Sequence, residues 1–267
     1  MLTYVSAAWV KEHLASPEVL VLDPRSPLRY MAGHPKGAIS APIAKARDAS
    51  GNLRSIPELA SWLGSVGLDE KHTPVIYDNA DGRSAAMLAW ILQYLGRDDV
   101  HLMETLWEKW VADKREVFYK PVAPVARGFQ AKPRLELRAT IDQVAAAKTA
   151  RLVDFRSRDE FAGKVDNTGR PGHIPGAVNV VWQELAGQNG NLLAADEDLR
   201  KVLSTAEIKP GQPAIAYCLL GARAALGFLA LEKLGQPVAL YDGSYTEWAK
   251  SDNPVEAPES KAKTENA

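Results

Sequence analysis

The sequence of 267 residues contains one cysteine, Cys218, and only five histidines, which are scattered along the chain. A single cysteine excludes an intramolecular disulfide framework and is typical of a reducing compartment. The histidines do not have the spacing of metal ligands, so we expect no metal site. Together, these absences favour a cytoplasmic protein without a structural metal.

Neither acidic nor basic residues are in excess, because 32 Lys and Arg residues stand against 33 Asp and Glu residues. Without a basic field, we expect neither nucleic acid nor a membrane surface as a partner. A long apolar run is also missing, and no stretch has the length that spans a bilayer. Residues 11–13 are Lys-Glu-His, where a signal peptide would be apolar.

The chain repeats itself once, with a period of about 140 residues. Four blocks return in the same order: VLVLDPRS (19–26) as RLVDFRS (151–157), GHPKGAIS (33–40) as GHIPGAVN (172–179), PVIYDNADGRSAAMLAWIL (74–92) as AIAYCLLGARAALGFLAL (214–231), and VHLMETLWEKW (100–110) as VALYDGSYTEW (238–248). Four matches in one order are improbable by chance. The sequence therefore contains two copies of one structural plan.

Apolar strand patterns alternate with amphipathic helix patterns in each copy, which predicts an α/β fold with a parallel sheet and helices on both of its faces. We place the first domain at residues 1–122 and the second at residues 137–257. A proline-containing linker at residues 123–136 joins them. The polar residues 258–267 are expected to form a disordered tail.

Cys218 lies where the hydrophobic pattern changes. Residues 214–217 have the length and composition of a buried strand, and a helical pattern follows Arg223. The loop between such a strand and helix presents backbone N–H groups to ligands, and Gly221 permits a tight turn. We therefore expect the N–H groups of this loop to surround the sulfur and to favour its thiolate.

Apart from its tail, the chain resembles the rhodanese family of sulfurtransferases in its tandem two-domain form. The resemblance depends on GHIPGAVN (172–179), the six-residue loop CLLGAR (218–223), YDGSYTEW (241–248), and Asp154 with Arg156. It implies that Cys218 is the catalytic nucleophile. It also implies a persulfide-binding and substrate-binding loop made of Leu219, Leu220, Gly221, Ala222 and Arg223.

The resemblance further implies a reaction in two steps, with a small anionic sulfur donor such as thiosulfate or mercaptopyruvate. The Cys218 thiolate takes the sulfane sulfur, and a thiophilic acceptor then removes it. Cyanide is the acceptor in assays, and a thiol or a thioredoxin-like protein is the expected acceptor in the cell. No cofactor is needed, and we expect a monomer or a weak dimer.

The first repeat has Asp78 at the position that matches Cys218, and its Arg83 matches Arg223. A carboxylate there would repel an anionic donor. We therefore expect a catalytically silent first domain that supports the interface and forms one wall of the site. Asp154 and Arg156 have counterparts in this silent copy, which favours a structural ion pair or strand-end hydrogen bonds over a chemical role.

The donor itself remains open, since Leu219 and Leu220 are neither basic nor small and polar, as the corresponding residues of the two donor classes in the family often are. An arginine that contacts the donor in the family falls on Glu160 in one alignment. Arg170, just before the GHIPGAVN block, is then the candidate donor-binding residue. His173 recurs as His34 and is expected to be structural.

Three other interpretations are compatible with parts of the sequence. Cys218 could be a buried, inert thiol, because free cysteine is among the most buried residue types. A non-catalytic sulfur carrier or protein-binding module would fit the apolar Leu219-Leu220 pair. A phosphatase of related fold needs its arginine six positions after the cysteine, but residue 224 is alanine.

Overall fold

The computed structural model describes residues 2–257; the tail predicted at residues 258–267 lies outside them. The first domain contains strands β1 (Thr3–Val5), β2 (Val19–Asp23), β3 (Ile39–Ser40), β4 (Thr73–Ile76) and β5 (His101–Met103), and helices α1 (Ala7–His13), α2 (Pro27–Met31), α3 (Ile56–Ser65), α4 (Arg83–Tyr94) and α5 (Trp107–Ala112). The strands pair in parallel in the order β1-β5-β4-β2-β3.

The second domain repeats this arrangement with one strand fewer. It contains helices α6 (Ile141–Ala145), α7 (Arg158–Phe161), α8 (Asp196–Thr205), α9 (Ala222–Lys233) and α10 (Ser244–Trp248), and strands β6 (Arg151–Asp154), β7 (Val178–Asn179), β8 (Ala214–Tyr217) and β9 (Val238–Leu240). The parallel order is β7-β6-β8-β9. An isolated parallel bridge joins Arg138 to Leu240 of β9. It lies at the position that β1 occupies beside β5 in the first domain.

The predicted architecture of two α/β domains with parallel sheets is confirmed. Within each domain, the strand that leads into the Asp-x-Arg-Ser block pairs with the strand that precedes Asp78 or Cys218. In the first domain β2 pairs with β4, and in the second β6 pairs with β8. Parallel strands end at the same edge of a sheet, which is where α/β proteins bind ligands. Asp78 and Cys218 therefore lie at equivalent edges of the two sheets.

Helices α4 and α9 pack against each other and join the domains. Both are apolar on nearly all sides, as expected for helices without a solvent face. One hydrophobic core consequently contains residues of both domains, including Leu92 and Leu229. No helix within residues 2–257 is long and apolar enough to cross a membrane.

The Asp-x-Arg-Ser blocks form buried ion pairs, as predicted. Arg156 Nη2 donates to Asp154 Oδ2 at 2.6 Å and to the main-chain oxygen of Gly172 at 2.7 Å. Asp23 and Arg25 make the corresponding bonds in the first domain. Each pair ties the end of a strand to the GH block, so it positions backbone and is not free for chemistry.

His173 and its counterpart His34 also have the structural contacts expected of them. His173 Nδ1 lies 2.8 Å from the main-chain oxygen of Phe161, and the two rings stack. His34 has the same relation to Tyr30. Each histidine therefore connects a GH block to the helix before it.

The segment predicted as a linker, residues 123–136, lies against the first domain. The N–H of Arg127 donates to the main-chain oxygen of Gly64 at 2.8 Å, and that of Lys132 donates to Leu95 at 2.9 Å. Phe129 is buried in the hydrophobic core. The linker is thus attached to the first domain at several points, although most of its residues are exposed.

Gly227 lies inside α9, a position where alanine is normally favoured by about 1 kcal/mol. Here a Cβ would overlap the ring carbons of Phe155. We predict that Gly227→Ala lowers the free energy of unfolding by about 1–3 kcal/mol, because the phenyl ring has to move. Urea denaturation measures this change.

Phe155→Leu provides the matched background, because it removes the ring that the new methyl group would meet. Adding Gly227→Ala to Phe155→Leu should cost less than adding it to the wild type. Equal costs in the two backgrounds, or a gain in stability in both, would contradict the packing account.

Candidate active site

Cys218 follows β8 directly, and α9 begins at Ala222, so the thiol lies in the predicted turn between strand and helix. Residues 218–223 form the Cys218 loop. The thiol is buried, with a residue exposure of 1%. The N–H of Gly221 donates to Cys218 Sγ at 3.1 Å, and the φ of Gly221 is +87°, in the left-handed region that favours glycine. The loop therefore folds back onto its own sulfur.

Several N–H groups beside this sulfur have no protein acceptor. Among residues 2–257, no acceptor forms a hydrogen bond with the N–H groups of Leu219, Leu220, Ala222, Arg223 and Ala224. Backbone N–H groups without a partner are rare in folded proteins, and at the start of a helix they attract anions. The loop can thus hold negative charge, either on a thiolate or on a sulfur atom bound to it.

The carbonyl groups of the loop are held by the YDGSYTEW block. The N–H of Tyr245 donates to the Cys218 oxygen at 2.9 Å, and Thr246 donates to the Leu219 oxygen through its N–H at 3.2 Å and Oγ1 at 2.7 Å. Ser244 Oγ accepts the N–H of Cys218 at 3.2 Å. The YDGSYTEW block thus fixes the loop mainly through its carbonyls and occupies one of its N–H groups, that of Cys218. Most of the other N–H groups are left to a ligand.

The next carbonyl of the loop is bound by the first domain. Arg47 Nη2 donates to the Leu220 oxygen at 2.7 Å, and Arg47 Nη1 donates to the Gly51 oxygen at 2.6 Å. Leu220 is itself 52% exposed and forms the apolar rim of the loop. The first domain therefore takes part in building the site.

Arg223 forms a bidentate ion pair with Glu160. Its Nη1 and Nη2 donate to the two carboxylate oxygens at 2.6 and 2.9 Å, so its guanidinium binds Glu160 rather than a loop carbonyl. Burial alone would raise the pKa of Glu160, but hydrogen bonds from Arg223 and Ser157 lower it to about 2. Burial lowers the pKa of Arg223, but Glu160 and the neighbouring Cys218 raise it above its ordinary value. Glu160 thus compensates the charge of Arg223.

Arg170, the candidate donor-binding residue, contacts the segment after α10. Its Nη1 donates to the Ser251 oxygen at 2.5 Å, and its Nη2 donates to the Asn253 oxygen at 2.8 Å. The main-chain oxygen of Arg170 accepts the hydroxyl of Tyr245 at 2.8 Å. Both terminal nitrogens therefore have protein partners, and donor binding by Arg170 stays a prediction.

The corresponding segment of the first domain, residues 78–83, is the silent loop, and the N–H groups of its residues 79–83 have acceptors within the chain. The Asp78 carboxylate accepts the N–H groups of Asn79 and Ala85, each at 2.8 Å. Burial raises the pKa of Asp78 to about 7, although these two donors oppose the shift. The carboxyl group therefore fills the place that an anion would take.

Two more carboxylates complete this occupation. Glu108 accepts the N–H of Ala80 at 3.0 Å, and Asp81 accepts the N–H of Arg83 at 3.1 Å. The N–H groups of residues 79–83 are thus satisfied within the chain. That this half binds no anionic donor stays a prediction.

The two closing arginines match in sequence but not in position on their helices. Arg83 is the first residue of α4, whereas Arg223 is the second residue of α9. The extra residue lies in the silent loop, before the glycine that precedes α4. Arg83 consequently pairs with Asp81 of its own loop, with Nη2 2.6 Å from Oδ2.

A cavity of about 500 Å³ lies beside the silent loop, and Arg47, which binds the Cys218 loop, also lines it. Asn79, Arg83 and Met87 line it from the first domain, and Ala222 lines it from the second. Cys218 does not line this cavity. Within residues 2–257, no group of His, Cys, Asp and Glu side chains is placed to hold a metal ion.

Sequence reasoning did not find Arg47 or the ion pair of Glu160 with Arg223. A signal for the first was present, because Gly51-Asn52-Leu53 returns as Gly190-Asn191-Leu192 in the second copy. This extra repeat block marks a loop that crosses the interface in both directions. The identity of the residue that reaches the Cys218 loop depends on contacts between domains, which periodicity does not report.

Known proteins resemble the chain over most of its length. The sequence pattern of the rhodanese-like domain matches residues 6–113 and 136–251. A protein of Mycolicibacterium smegmatis named "Putative thiosulfate sulfurtransferase" is 31% identical over 261 residues, covering 91% of this chain and 93% of that protein. A protein of Haloferax volcanii with the same name is 33% identical over 276 residues, covering 95% and 94%.

A solved structure has the same fold. The anaerobic ergothioneine biosynthesis enzyme from Chlorobium limicola, in complex with trimethyl histidine, superposes with a TM-score of 0.84 at 24% sequence identity. The match covers 95% of this chain and 70% of that chain. At this identity, the likeness establishes the shared fold and nothing finer.

The ion pair of Glu160 gives the stability of the fold a pH dependence. The pKa of Glu160 falls from the ordinary 4.5 to about 2, so the carboxylate stabilises the folded chain above its unfolded pKa, and this contribution is lost as the pH falls toward 2. The difference corresponds to about 3 kcal/mol at neutral pH. Glu160→Gln should therefore cost stability at pH 7 and cost about 2 kcal/mol less at pH 3.

Urea denaturation of both proteins at pH 7, 5, 4 and 3 tests this expectation. The free energy difference between wild type and Glu160→Gln should shrink as the pH falls. A difference that stays constant over this range would mean that the pair contributes shape and packing but no linked charge.

Proposed function

The chain belongs to the family of rhodanese-like domain proteins, and on this premise we propose that it transfers a sulfane sulfur from an anionic donor to a thiophilic acceptor through a persulfide on Cys218. The family and the named relatives support the sulfurtransferase class. The observation that carries the proposal is a buried thiol at the start of a loop in which five N–H groups of residues 219–224 form no hydrogen bond to an acceptor within residues 2–257.

The first step forms one sulfur–sulfur bond and breaks another. The Cys218 thiolate attacks the sulfane sulfur of thiosulfate, and sulfite leaves with the electron pair of the broken bond. In the second step, an acceptor attacks the terminal sulfur of the persulfide and the Cys218 thiolate leaves. With cyanide as the acceptor, the product is thiocyanate. The reaction balances without an external oxidant or reductant.

The N–H groups of the Cys218 loop fit both states of the sulfur. A thiolate is negatively charged, and after transfer the charge lies on the terminal sulfur of the persulfide. Fixed N–H donors stabilise such charge without reorganisation, which is how oxyanion holes act. The N–H of Gly221 already contacts Sγ, and its unpaired neighbours are available for the added sulfur.

We propose thiosulfate as the donor, with mercaptopyruvate as the alternative, because relatives over 30% identical carry the thiosulfate name. The charge near the thiol is modest for a dianion, since Glu160 compensates Arg223. Rates with both donors, measured in parallel, separate the two.

The apolar rim at Leu220 suits a protein acceptor, for which a thioredoxin-like dithiol is the proposed class. The same rim also supports the alternative of a sulfur carrier. In that case Cys218 delivers sulfur to a docked partner protein and does not turn over with free thiols. The phosphatase alternative has less support, because Arg223 follows Cys218 by five positions and is already paired.

Cys218→Ser should abolish sulfur transfer and leave the fold intact, because the chain has no other thiol. Cyanolysis with thiosulfate measures the rate. Mass spectrometry after donor treatment should find one added sulfur atom on the wild type and none on the variant. Turnover by the serine variant would overturn the mechanism.

Asp78→Ala is the matched control, since it changes the equivalent position of the silent loop. We expect its rate to stay within about twofold of the wild type, because no group that reacts is removed. A large loss of rate with unchanged stability would instead give the Asp78 carboxyl group a part in the reaction.

The role proposed for Arg170 predicts a change in the donor KM. If its guanidinium binds the donor, Arg170→Ala should raise the donor KM about tenfold or more, and Arg170→Lys should restore only part of the affinity. If KM is unchanged with both thiosulfate and mercaptopyruvate, Arg170 serves only to hold Ser251 and Asn253.

A further inference from the structure

We infer that Arg47, supplied by the silent domain, is a positioning residue for the Cys218 thiolate: its guanidinium holds the Cys218 loop and places an uncompensated positive charge against it. This inference rests on the proposed role of Cys218. It assigns the first domain a direct part in activating the nucleophile.

The contact is close and leaves little freedom to the loop. Arg47 Nη2 lies 2.7 Å from the Leu220 oxygen and 3.0 Å from the place where a Cβ on Gly221 would stand. Gly221 is also the residue whose N–H reaches Cys218 Sγ. Only glycine at this position accommodates both the left-handed φ and the approach of the guanidinium.

Arg47 has no counter-ion in the part of the chain that the structure describes. Within residues 2–257, Arg47 forms no ion pair with a carboxylate, and its hydrogen bonds go to the carbonyls of Leu220 and Gly51. Arg223, the other arginine at the loop, is compensated by Glu160. Arg47 therefore adds a second positive charge at the Cys218 loop, beside that of Arg223, which interacts with the Cys218 thiol but is shared with Glu160.

Arg47 is also held in place by contacts within its own domain. It directly follows the 3-10 helix Ile43–Ala46, and its N–H donates to the Ala44 oxygen at 3.3 Å. The bond from Nη1 to the Gly51 oxygen fixes the guanidinium against its own turn. A preorganised donor of this kind loses little entropy when it binds the Leu220 carbonyl.

The second domain offers an internal comparison. The equivalent 3-10 helix, Trp182–Leu185, is followed by Ala186. The turn after it binds the region of the silent loop through main-chain bonds, from Leu192 N–H to the Glu104 oxygen at 2.8 Å and from Leu106 N–H to the Gly190 oxygen at 2.7 Å. The two turns thus bind across the domain interface in both directions, but within residues 2–257 an arginine of the opposite domain binds a carbonyl of the Cys218 loop and none binds a carbonyl of the silent loop.

The test is the rate of Cys218 alkylation by iodoacetamide against pH, in the full chain without any sulfur donor. Arg47→Gln keeps a hydrogen-bond donor but loses the charge, and should move the midpoint of the profile up by about one pH unit. Arg47→Lys keeps the charge and should leave the midpoint near that of the wild type. Persulfide formation should slow about tenfold in Arg47→Gln with every donor.

Arg54→Gln is the matched control, because Arg54 lies in the same segment but pairs with Glu58. Its alkylation profile should equal that of the wild type. If Arg47→Gln lowers thermal stability and leaves the midpoint and the persulfide rate unchanged, Arg47 is only a tie between domains and the inference is wrong. If the wild type forms no persulfide, the proposed function fails, yet the alkylation midpoints still decide the role of Arg47.

Discussion

Backbone N–H groups at the end of a strand and the start of a helix need an acceptor, and the two halves of this chain meet that requirement differently. In the first half, the carboxylates of Asp78, Asp81 and Glu108 accept them. In the second half, Gly221 donates to the Cys218 sulfur, and the neighbouring N–H groups have no acceptor within residues 2–257. One fold thus contains a filled anion site and an open one, and the open one holds the thiol.

The remaining structure keeps the open site in shape. The YDGSYTEW block binds two carbonyls of the Cys218 loop, and the buried pair of Asp154 and Arg156 fixes the end of the neighbouring strand. Arg47, which belongs to the first domain, binds a third carbonyl of the loop. The joint core between α4 and α9 makes the last contact possible, because a large apolar interface limits relative motion of the domains. A silent domain that only covered apolar surface would need no arginine at this place.

Much of this arrangement could be predicted from the sequence. The strand at residues 214–217, the turn at Cys218 and the structural pair at Asp154 and Arg156 follow from local patterns that the repeat displays twice. The partners of Arg223 and Arg47 could not be predicted. Long cationic side chains reach groups that are distant in sequence. The contacts of Arg223 with Glu160 and of Arg47 with Leu220 are therefore known only from the three-dimensional structure. The domain boundaries and the donor-binding role of Arg170 remain predictions.

The central claim is that the N–H groups of the Cys218 loop hold the transferred sulfur. A crystal structure of the protein after treatment with thiosulfate tests this most directly. The account predicts an added sulfur on Cys218 Sγ that accepts hydrogen bonds from N–H groups of residues 219–224. An added sulfur that points away from these groups, or that is held by the Arg223 guanidinium alone, would contradict it.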